Sequence, residues 1–123
     1  MISFENYKNE NDIPIYLQIV RHIKRGIASM SVLSGDELPS RRVLSATLGV
    51  NPNTVQKAYA ILEEEKLIES HAGAKSYMSF SRERAEQVKN ELLENDAKAI
   101  VNSLKQMGFS KEDSLVLIDK FWN

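Results

Sequence analysis

Apolar residues recur every three or four positions through the first half of the chain, a spacing that is typical of amphipathic helices. The first such stretch covers residues 14–30. Pro14 suits its start, because the first turn of a helix leaves that N–H without an intrahelical partner. Its predicted apolar face is formed by Tyr16, Ile19, Val20, Ile23, Ile27 and Met30.

A second, shorter helix is predicted from Ser40, which is a good N-cap, to about residue 48. The turn-rich connection before it has Leu38 as its anchor in the core. Gly49 suits the left-handed conformation that often ends a helix. The residues expected to point inward from this helix are Val43, Leu44 and Leu48.

A third helix follows directly. Asn51 is a good N-cap, and Pro52 fits the first helical position. The buried stripe expected on this helix is Val55, Ala58, Tyr59 and Leu62. Two short helices joined by a turn of this length containing glycine predict a helix-turn-helix.

The second half of the chain predicts a β-hairpin and two further helices. Short apolar runs around a glycine-containing turn over residues 66–80 indicate the hairpin. A long helix is expected from Ser81 to about Met107, where Gly108 stops it; Asp96 interrupts its series of apolar positions. A capping-box spacing then predicts a last short helix. The apolar positions of the two helices are Ala85, Val88, Leu92, Ala99, Ile100, Leu104 and Met107, then Leu115, Leu117, Ile118, Phe121 and Trp122.

These elements predict a mainly α fold with a small β-hairpin wing: a winged helix-turn-helix over residues 1–80 and a two-helix tail over residues 81–123. The tail carries more apolar surface than two helices can hide by themselves. Burying it against a second copy of the chain would stabilise a dimer. The alternative is a tail that folds back onto its own winged helix. The predicted dimer interface is Val88, Leu92, Ile100, Leu104, Leu117, Phe121 and Trp122.

Composition narrows the class of protein. The 123 residues are 42% apolar and 27% charged, which suits one domain, or a small domain with an appendage. No apolar run approaches the roughly 18 residues that span a bilayer, and the polar N-terminus is unlike a signal peptide. The chain has no cysteine and two histidines, which excludes thiolate ligands and argues against a zinc site. We therefore expect a cytoplasmic protein with no membrane partner, metal or cofactor.

Charge is distributed unevenly although the formal net charge is −1. The first turns of the third helix carry Asn53, Thr54, Gln56 and Lys57, with no acid among them. In a helix-turn-helix, these residues of the second helix can meet base edges in the major groove of DNA. Asn and Gln can pair with two atoms of adenine at once, which favours a base-reading surface. The alternative is a helix face that is merely solvated.

Two further features point to an anionic partner. Arg41 and Arg42 lie in the first turn of a helix, where the macrodipole disfavours each cation by roughly 0.3–1 kcal/mol. A nucleic-acid phosphate would explain them, and local pairing with Asp36 or Glu37 is the alternative. The hairpin turn "HAGAKS" carries Lys75, which could reach a minor groove or flanking phosphates; the alternative is an ordinary exposed hairpin.

The stretch "LPSRRVLSATLGVNPNTVQKAYAILEEEKLIESHAGAKSYM" resembles the winged-helix domain of GntR-family bacterial transcription regulators. The family pattern is Leu-Pro-Ser-x-Arg-x-Leu, Gly-Val-x-x-x-Thr-Val and Ala-Tyr-x-x-Leu, followed by a glycine-containing wing. With the first helix, the resemblance covers about residues 13–79. The pattern falls on Leu38, Pro39, Ser40, Arg42, Leu44, Gly49, Val50, Thr54, Val55, Ala58, Tyr59, Leu62 and Gly73.

The resemblance implies that Arg42, the start of the third helix and the wing tip contact operator DNA. The chain departs from the family at Pro52, where many members have a basic or small polar residue, and at Lys75, which replaces a second wing glycine. Together with the charge pattern, the resemblance gives a predicted DNA-binding set of Ser40, Arg41, Arg42, Asn51, Asn53, Thr54, Gln56, Lys57, Gly73 and Lys75.

The short tail resembles that of the YtrA-like subgroup, which implies dimerisation rather than a deep ligand pocket. We therefore expect a homodimeric, sequence-specific DNA-binding repressor whose partners are double-stranded operator DNA and a second copy of itself. A two-fold dimer predicts a pseudo-palindromic operator with half-sites about 34 Å, or a multiple of that, apart. The sequence names no effector, and only the resemblance favours repression over activation.

Two other classes of function compete with this one. An enzyme would need a nucleophile and base, a carboxylate pair, a phosphate loop or a metal cluster, and the sequence shows none of these patterns. The run Glu63–Glu65 is interpreted as a solvated helix end. A winged helix used as a protein-docking module is compatible with the neutral net charge, but the acid-free surface argues against it. Salt dependence of binding distinguishes the two.

Overall fold

The computed structural model describes residues 1–5, 7, 12–71 and 75–123. The chain forms two compact units, Met1–Lys89 and Asn90–Asn123. In chain order, the elements are α1 (Ile15–Ala28), β1 (Glu37–Leu38), α2 (Arg41–Leu48), α3 (Pro52–Glu64), β2 (Ile68–His71), β3 (Lys75–Met78), α4 (Arg82–Gln106) and α5 (Lys111–Trp122). This confirms the predicted mainly α fold with a hairpin wing.

The core of the first unit lies between α1, α2, α3 and the sheet. The predicted stripe of α3 is confirmed, since all four of its side chains are buried. Helix α1 contributes Ile19, Val20, Ile23 and Ile27 to the same core. Leu38 is also buried, as its predicted role as an anchor requires.

Two residues predicted to be buried are exposed. Met30 is 75% exposed, because α1 ends at Ala28 and Met30 adopts a left-handed φ of 67° beyond it. Val43 is 53% exposed. Helix α2 directs Leu44 and Ser45 inward, and successive helical residues lie about 100° apart, so Val43 faces outward. The prediction for these two side chains was wrong.

The three strands form an antiparallel sheet in the order β1-β3-β2. The hairpin of β2 and β3 is confirmed, with Ile68 opposite Met78 and Ser70 opposite Ser76. Strand β1 pairs Leu38 with Ser76 on the other side of β3. The sequence did not predict β1, because two residues are too few to show the alternation of a strand.

Side chains cap the two central helices as predicted. Ser40 Oγ accepts a hydrogen bond from Val43 N at 3.1 Å, and Asn51 Oδ1 accepts one from Asn53 N at 2.8 Å. Gly49 between them has a left-handed φ of 68°. These local bonds fix where α3 begins, and therefore which of its residues form the first exposed turn.

The predicted boundaries of the last two helices are also confirmed. Ser81 Oγ accepts from Arg84 N at the start of α4, and Gly108 has a left-handed φ of 78° after its end. Ser110 Oγ accepts from Asp113 N at 3.1 Å, which caps α5. Within the described ranges, no helix has the length and apolar character that crossing a membrane demands.

Candidate nucleic-acid interface

The first turns of α3 present a polar, acid-free face. Val55, Ala58 and Tyr59 are buried on the core side, so the residues between them are directed outward. Asn53 and Gln56 are exposed, and Thr54 is half-buried. No acidic residue lies in the first turn. This face can therefore offer amide donors and acceptors to a ligand without repelling an anion.

Arg42 is the second residue of α2, the helix that precedes α3, and its side chain is exposed. In the part of the chain that the structure describes, no hydrogen bond or ion pair joins Arg42 to another residue. Asp36 accepts instead from Leu33 N at 2.8 Å, and Glu37 lies 3.8 Å from Lys75 Nζ. The local pairing considered for Arg42 is therefore not formed, and its charge is available to a partner.

Arg41, its neighbour, has a different environment. Its guanidinium carbon lies 5.0 Å from the centroid of the Tyr59 ring, and Nη1 donates to Ser76 Oγ at 3.5 Å. Arg41 Nε is buried, and no described residue forms a hydrogen bond with it. The side chain thus links α2 to α3 and β3, whereas the sequence favoured a phosphate contact, with pairing to Asp36 or Glu37 as the alternative.

Burial beneath Arg41 also affects Tyr59. The phenol is buried and donates to the carbonyl oxygen of Pro39 at 2.6 Å. Burial raises the pKa of Tyr59 well above its ordinary value, and the positive charge of Arg41 opposes this shift only in part. Tyr59 therefore stays neutral and donates its proton throughout the physiological range.

The two predicted lysines also make intramolecular contacts. Lys57 Nζ lies 4.1 Å from the centroid of the Tyr16 ring on α1, a cation–π contact. Lys75 remains largely exposed despite its 3.8 Å pair with Glu37. Both ammonium groups stay at the surface, where a phosphate could compete for them.

The remaining predicted residues serve as caps or belong to the wing. The side-chain oxygens of Ser40 and Asn51 are used at the helix starts, which leaves the hydroxyl hydrogen and the amide NH2 for a partner. His71 packs edge-on against Tyr77, with ring centroids 5.4 Å apart. Gly73, the predicted wing tip, lies outside the described residues.

The second unit exposes many apolar side chains. Phe121 and Trp122 are 72% and 79% exposed, Ile100 and Leu117 are exposed, and Leu104 is half-buried. Leu92 is also half-buried. A further group of exposed apolar side chains lies outside the predicted interface set, and the run "LVLI" contains part of it. That group consists of Leu93, Val101, Met107, Phe109, Leu115, Val116 and Ile118.

Val88 requires a correction. It lies in the first unit and is 1% exposed in the single chain. A side chain that is already buried has almost no surface left to bury against a partner, so Val88 belongs to the core rather than to an interface. The sequence places Val88 on the apolar side of α4, and that position is compatible both with burial in the core of one chain and with burial against a second chain.

The chain resembles known regulators in sequence and in structure. Residues 15–77 match the family model described as bacterial regulatory proteins, gntR family. The chain is 32% identical over 108 residues to the HTH-type transcriptional regulator YhcF of Bacillus subtilis, covering 88% of this chain and 89% of the relative. It is 39% identical over 94 residues to the HTH-type transcriptional repressor YtrA of Bacillus subtilis, covering 76% of this chain and 68% of the relative.

A solved structure shares the fold over nearly the whole chain. A GntR family transcriptional regulator from Listeria monocytogenes aligns with a TM-score of 0.80 at 33% identity, covering 91% of this chain and 98% of that one. The similarity extends beyond the helix-turn-helix, because the family model ends at residue 77 whereas this alignment covers most of both chains.

Proposed function

Since the chain belongs to the GntR family of bacterial transcription regulators, as a YtrA-like member that binds DNA, we propose that it is a homodimeric repressor of a pseudo-palindromic operator. Each protomer places the first turns of α3 in a major groove and the wing beside it. The two protomers associate through their tails.

The observation that carries this proposal is the joint exposure of Arg42, Asn53 and Gln56. Arg42 has no partner within the described ranges, and the first turns of α2 and α3 contain no acid. An exposed guanidinium on α2 and exposed amides on α3 supply both contacts that sequence-specific binding needs: a cation for phosphate and donor–acceptor groups for bases. A helix face that only contacts water would not require this combination of an exposed cation and exposed amides.

Not all of the predicted contacts are equivalent in this proposal. Arg42, Asn53, Gln56 and Thr54 contact the DNA directly, and Lys75 reaches a flanking phosphate. Arg41 acts mainly by holding the wing strand β3 to α2, because its guanidinium is engaged by Tyr59 and Ser76. Ser40 and Asn51 act mainly by fixing the helix starts.

The tail supports a homodimer. Phe121, Trp122 and Val116 expose large apolar surfaces, and burial contributes about 25 cal/mol per Å2 of such surface. A two-fold dimer places equivalent α3 helices on half-sites about 34 Å, or a multiple of that, apart. Repression is supported by the similarity to the YtrA repressor. A cytoplasmic regulator of this kind needs no cofactor and no catalysis.

The test is selection of bound sequences from random duplex DNA, followed by titration of binding with salt. We expect two inverted half-sites at a constant separation, and an affinity that falls steeply as salt rises because bound phosphates release counterions. Recovery of no duplex in dilute buffer would contradict the proposal. Binding that is independent of salt would favour the protein-docking alternative.

A further inference from the structure

The end of α3 and the start of α4 are joined by a cluster of three charged residues in the first unit. Lys24 Nζ on α1 lies 2.8 Å from Glu65 Oε1, which immediately follows α3. Arg84 Nη2 on α4 lies 3.5 Å from the same oxygen and 3.4 Å from the backbone oxygen of Glu65. One carboxylate thus receives cations from two different helices.

This cluster, Lys24–Glu65–Arg84, is partly shielded from water. Each of the three side chains is no more than about one third exposed. Salt therefore screens their attraction less than it screens the attraction within an exposed surface pair. The pair Lys98–Glu94 provides a contrast, because both of its side chains are largely exposed and both lie on α4. Unlike that pair, the cluster ties separate elements together.

Hydrogen bonds to residues distant in sequence also hold the segment that precedes α4. Ser79 N donates to the backbone oxygen of Leu67 at 2.9 Å, and Phe80 N donates to Ser34 Oγ at 3.1 Å. Ser81 then caps α4. The backbone is therefore restrained up to the first turn of α4, where Arg84 adds its ionic contact to Glu65, the carboxylate that also binds Lys24 of α1.

We infer that the Lys24–Glu65–Arg84 cluster positions α4 on the DNA-binding unit and thereby selects the spacing of the operator half-sites. The inference rests on the proposed homodimer. In such a dimer α4, which follows β3, is the helix that continues from the first unit into the second. Its direction therefore bears on how far apart the two α3 helices lie. One inserted base pair changes the separation by about 3.4 Å and the rotation by about a tenth of a turn. A restrained α4 disfavours both changes.

The experiment measures the affinity of the full-length protein for duplexes that carry the selected half-sites at the preferred spacing or with one base pair inserted. We expect Arg84→Gln to bind the preferred duplex as wild type does. Its discrimination between the two duplexes should fall about fivefold, a coupling of the size seen among residues of one ion-pair network. Arg84→Lys keeps the charge and should restore discrimination. Lys98→Gln, which removes an exposed pair from the same helix, should leave it unchanged.

A folded Arg84→Gln protein with wild-type discrimination would overturn the inference, as would an equal loss in Lys98→Gln. Glu65→Gln provides a second reading if Arg84→Gln does not fold, because it removes the shared carboxylate and should relax spacing in the same way. A wild-type protein that selects single half-sites would contradict the homodimer and this inference together. Relaxed half-site spacing in Arg84→Gln, with base preference unchanged, would support this inference separately from the proposed function.

Discussion

The guanidinium of Arg41 lies over the ring of Tyr59, with 5.0 Å between the guanidinium carbon and the ring centroid. Because of this contact, two arginines that are adjacent in the sequence have different environments. Arg41 is held inside the first unit between α2, α3 and β3, whereas the next residue, Arg42, extends into solvent without a partner among the described residues. A doublet that looks uniform in the sequence therefore contains one structural cation and one that is free to bind.

Arg42→Ala should abolish operator binding and leave the melting temperature unchanged, because the side chain makes no described intramolecular contact. Loss of an arginine contact costs about 1–3 kcal/mol in each half-site. Arg82→Ala removes an exposed arginine at the start of α4 and is the matched control. Gel-shift titration and thermal melting of both variants check this; normal operator binding by Arg42→Ala would refute its assignment.

Gln56→Ala should relax base preference at one position of each half-site by about 1–3 kcal/mol while general affinity for DNA persists. The reason is that Gln56 is exposed on the face of α3 expected to meet base edges. Repeating the selection with the variant measures the change. Glu64→Ala, at the exposed far end of the same helix, should select the wild-type sequence; if Gln56→Ala does too, Gln56 does not read a base.

Phe121→Asp should shift the protein from dimer to monomer. The Phe121 side chain is largely exposed in the single chain, so the substitution should spare the protomer fold, while burying it at an interface would contribute roughly 1.5–3 kcal/mol per protomer. Sedimentation velocity across a concentration series measures the equilibrium. Asn102→Asp adds the same charge at an exposed polar position of α4 and should stay dimeric; an unaltered dimer in Phe121→Asp would place the interface elsewhere.

Tyr59 should make the first unit lose stability in alkaline solution. The folded state raises the pKa of Tyr59 above the ordinary value of about 10, so the folded state retains this proton where the unfolded chain releases it. Its contribution is complete below about pH 10 and declines as the pH rises further. Urea unfolding of wild type and Tyr59→Phe at pH 8 and pH 10.5 should show a steeper decline in wild type. Parallel declines would contradict the shift.

Tyr59→Phe should also destabilise the protein at neutral pH. It removes the 2.6 Å hydrogen bond to the carbonyl of Pro39, and one such bond contributes about 0.5–1.5 kcal/mol. The same unfolding curves at pH 8 give this difference.

Gly26→Ala should destabilise the protein although alanine favours a helix. A Cβ at residue 26 would overlap the Cγ2 atom of Val32, which is buried and cannot move freely. Overpacking of this kind typically costs about 1–3 kcal/mol, more than the ~1 kcal/mol that replacing glycine in a helix gains. The double variant Gly26→Ala/Val32→Ala should lose less stability than the sum of the two single variants. Strict additivity in denaturant unfolding would show that the two side chains do not meet.

Much of the fold and of the exposed site follows from local sequence. Helical spacing, the caps Ser40 and Asn51 and the left-handed Gly49 place α2 and α3, because these effects act within a few residues. Once the buried stripe of α3 is known, the outward direction of Asn53 and Gln56 follows from the helical period alone.

Tertiary structure decided the contacts of side chains whose partners are distant in the sequence. Arg41 meets Tyr59 and Ser76, Lys57 meets Tyr16, and Glu65 joins two other helices. Similarly, Val88 on α4 is buried within its own unit while Phe121 is not. A period of apolar residues tells which side of a helix avoids water, but the surface that covers that side depends on packing between separate elements. The sequence by itself therefore determined the helices and the polar face of α3, and only the tertiary structure decided which charges are already paired and which apolar side chains are still uncovered.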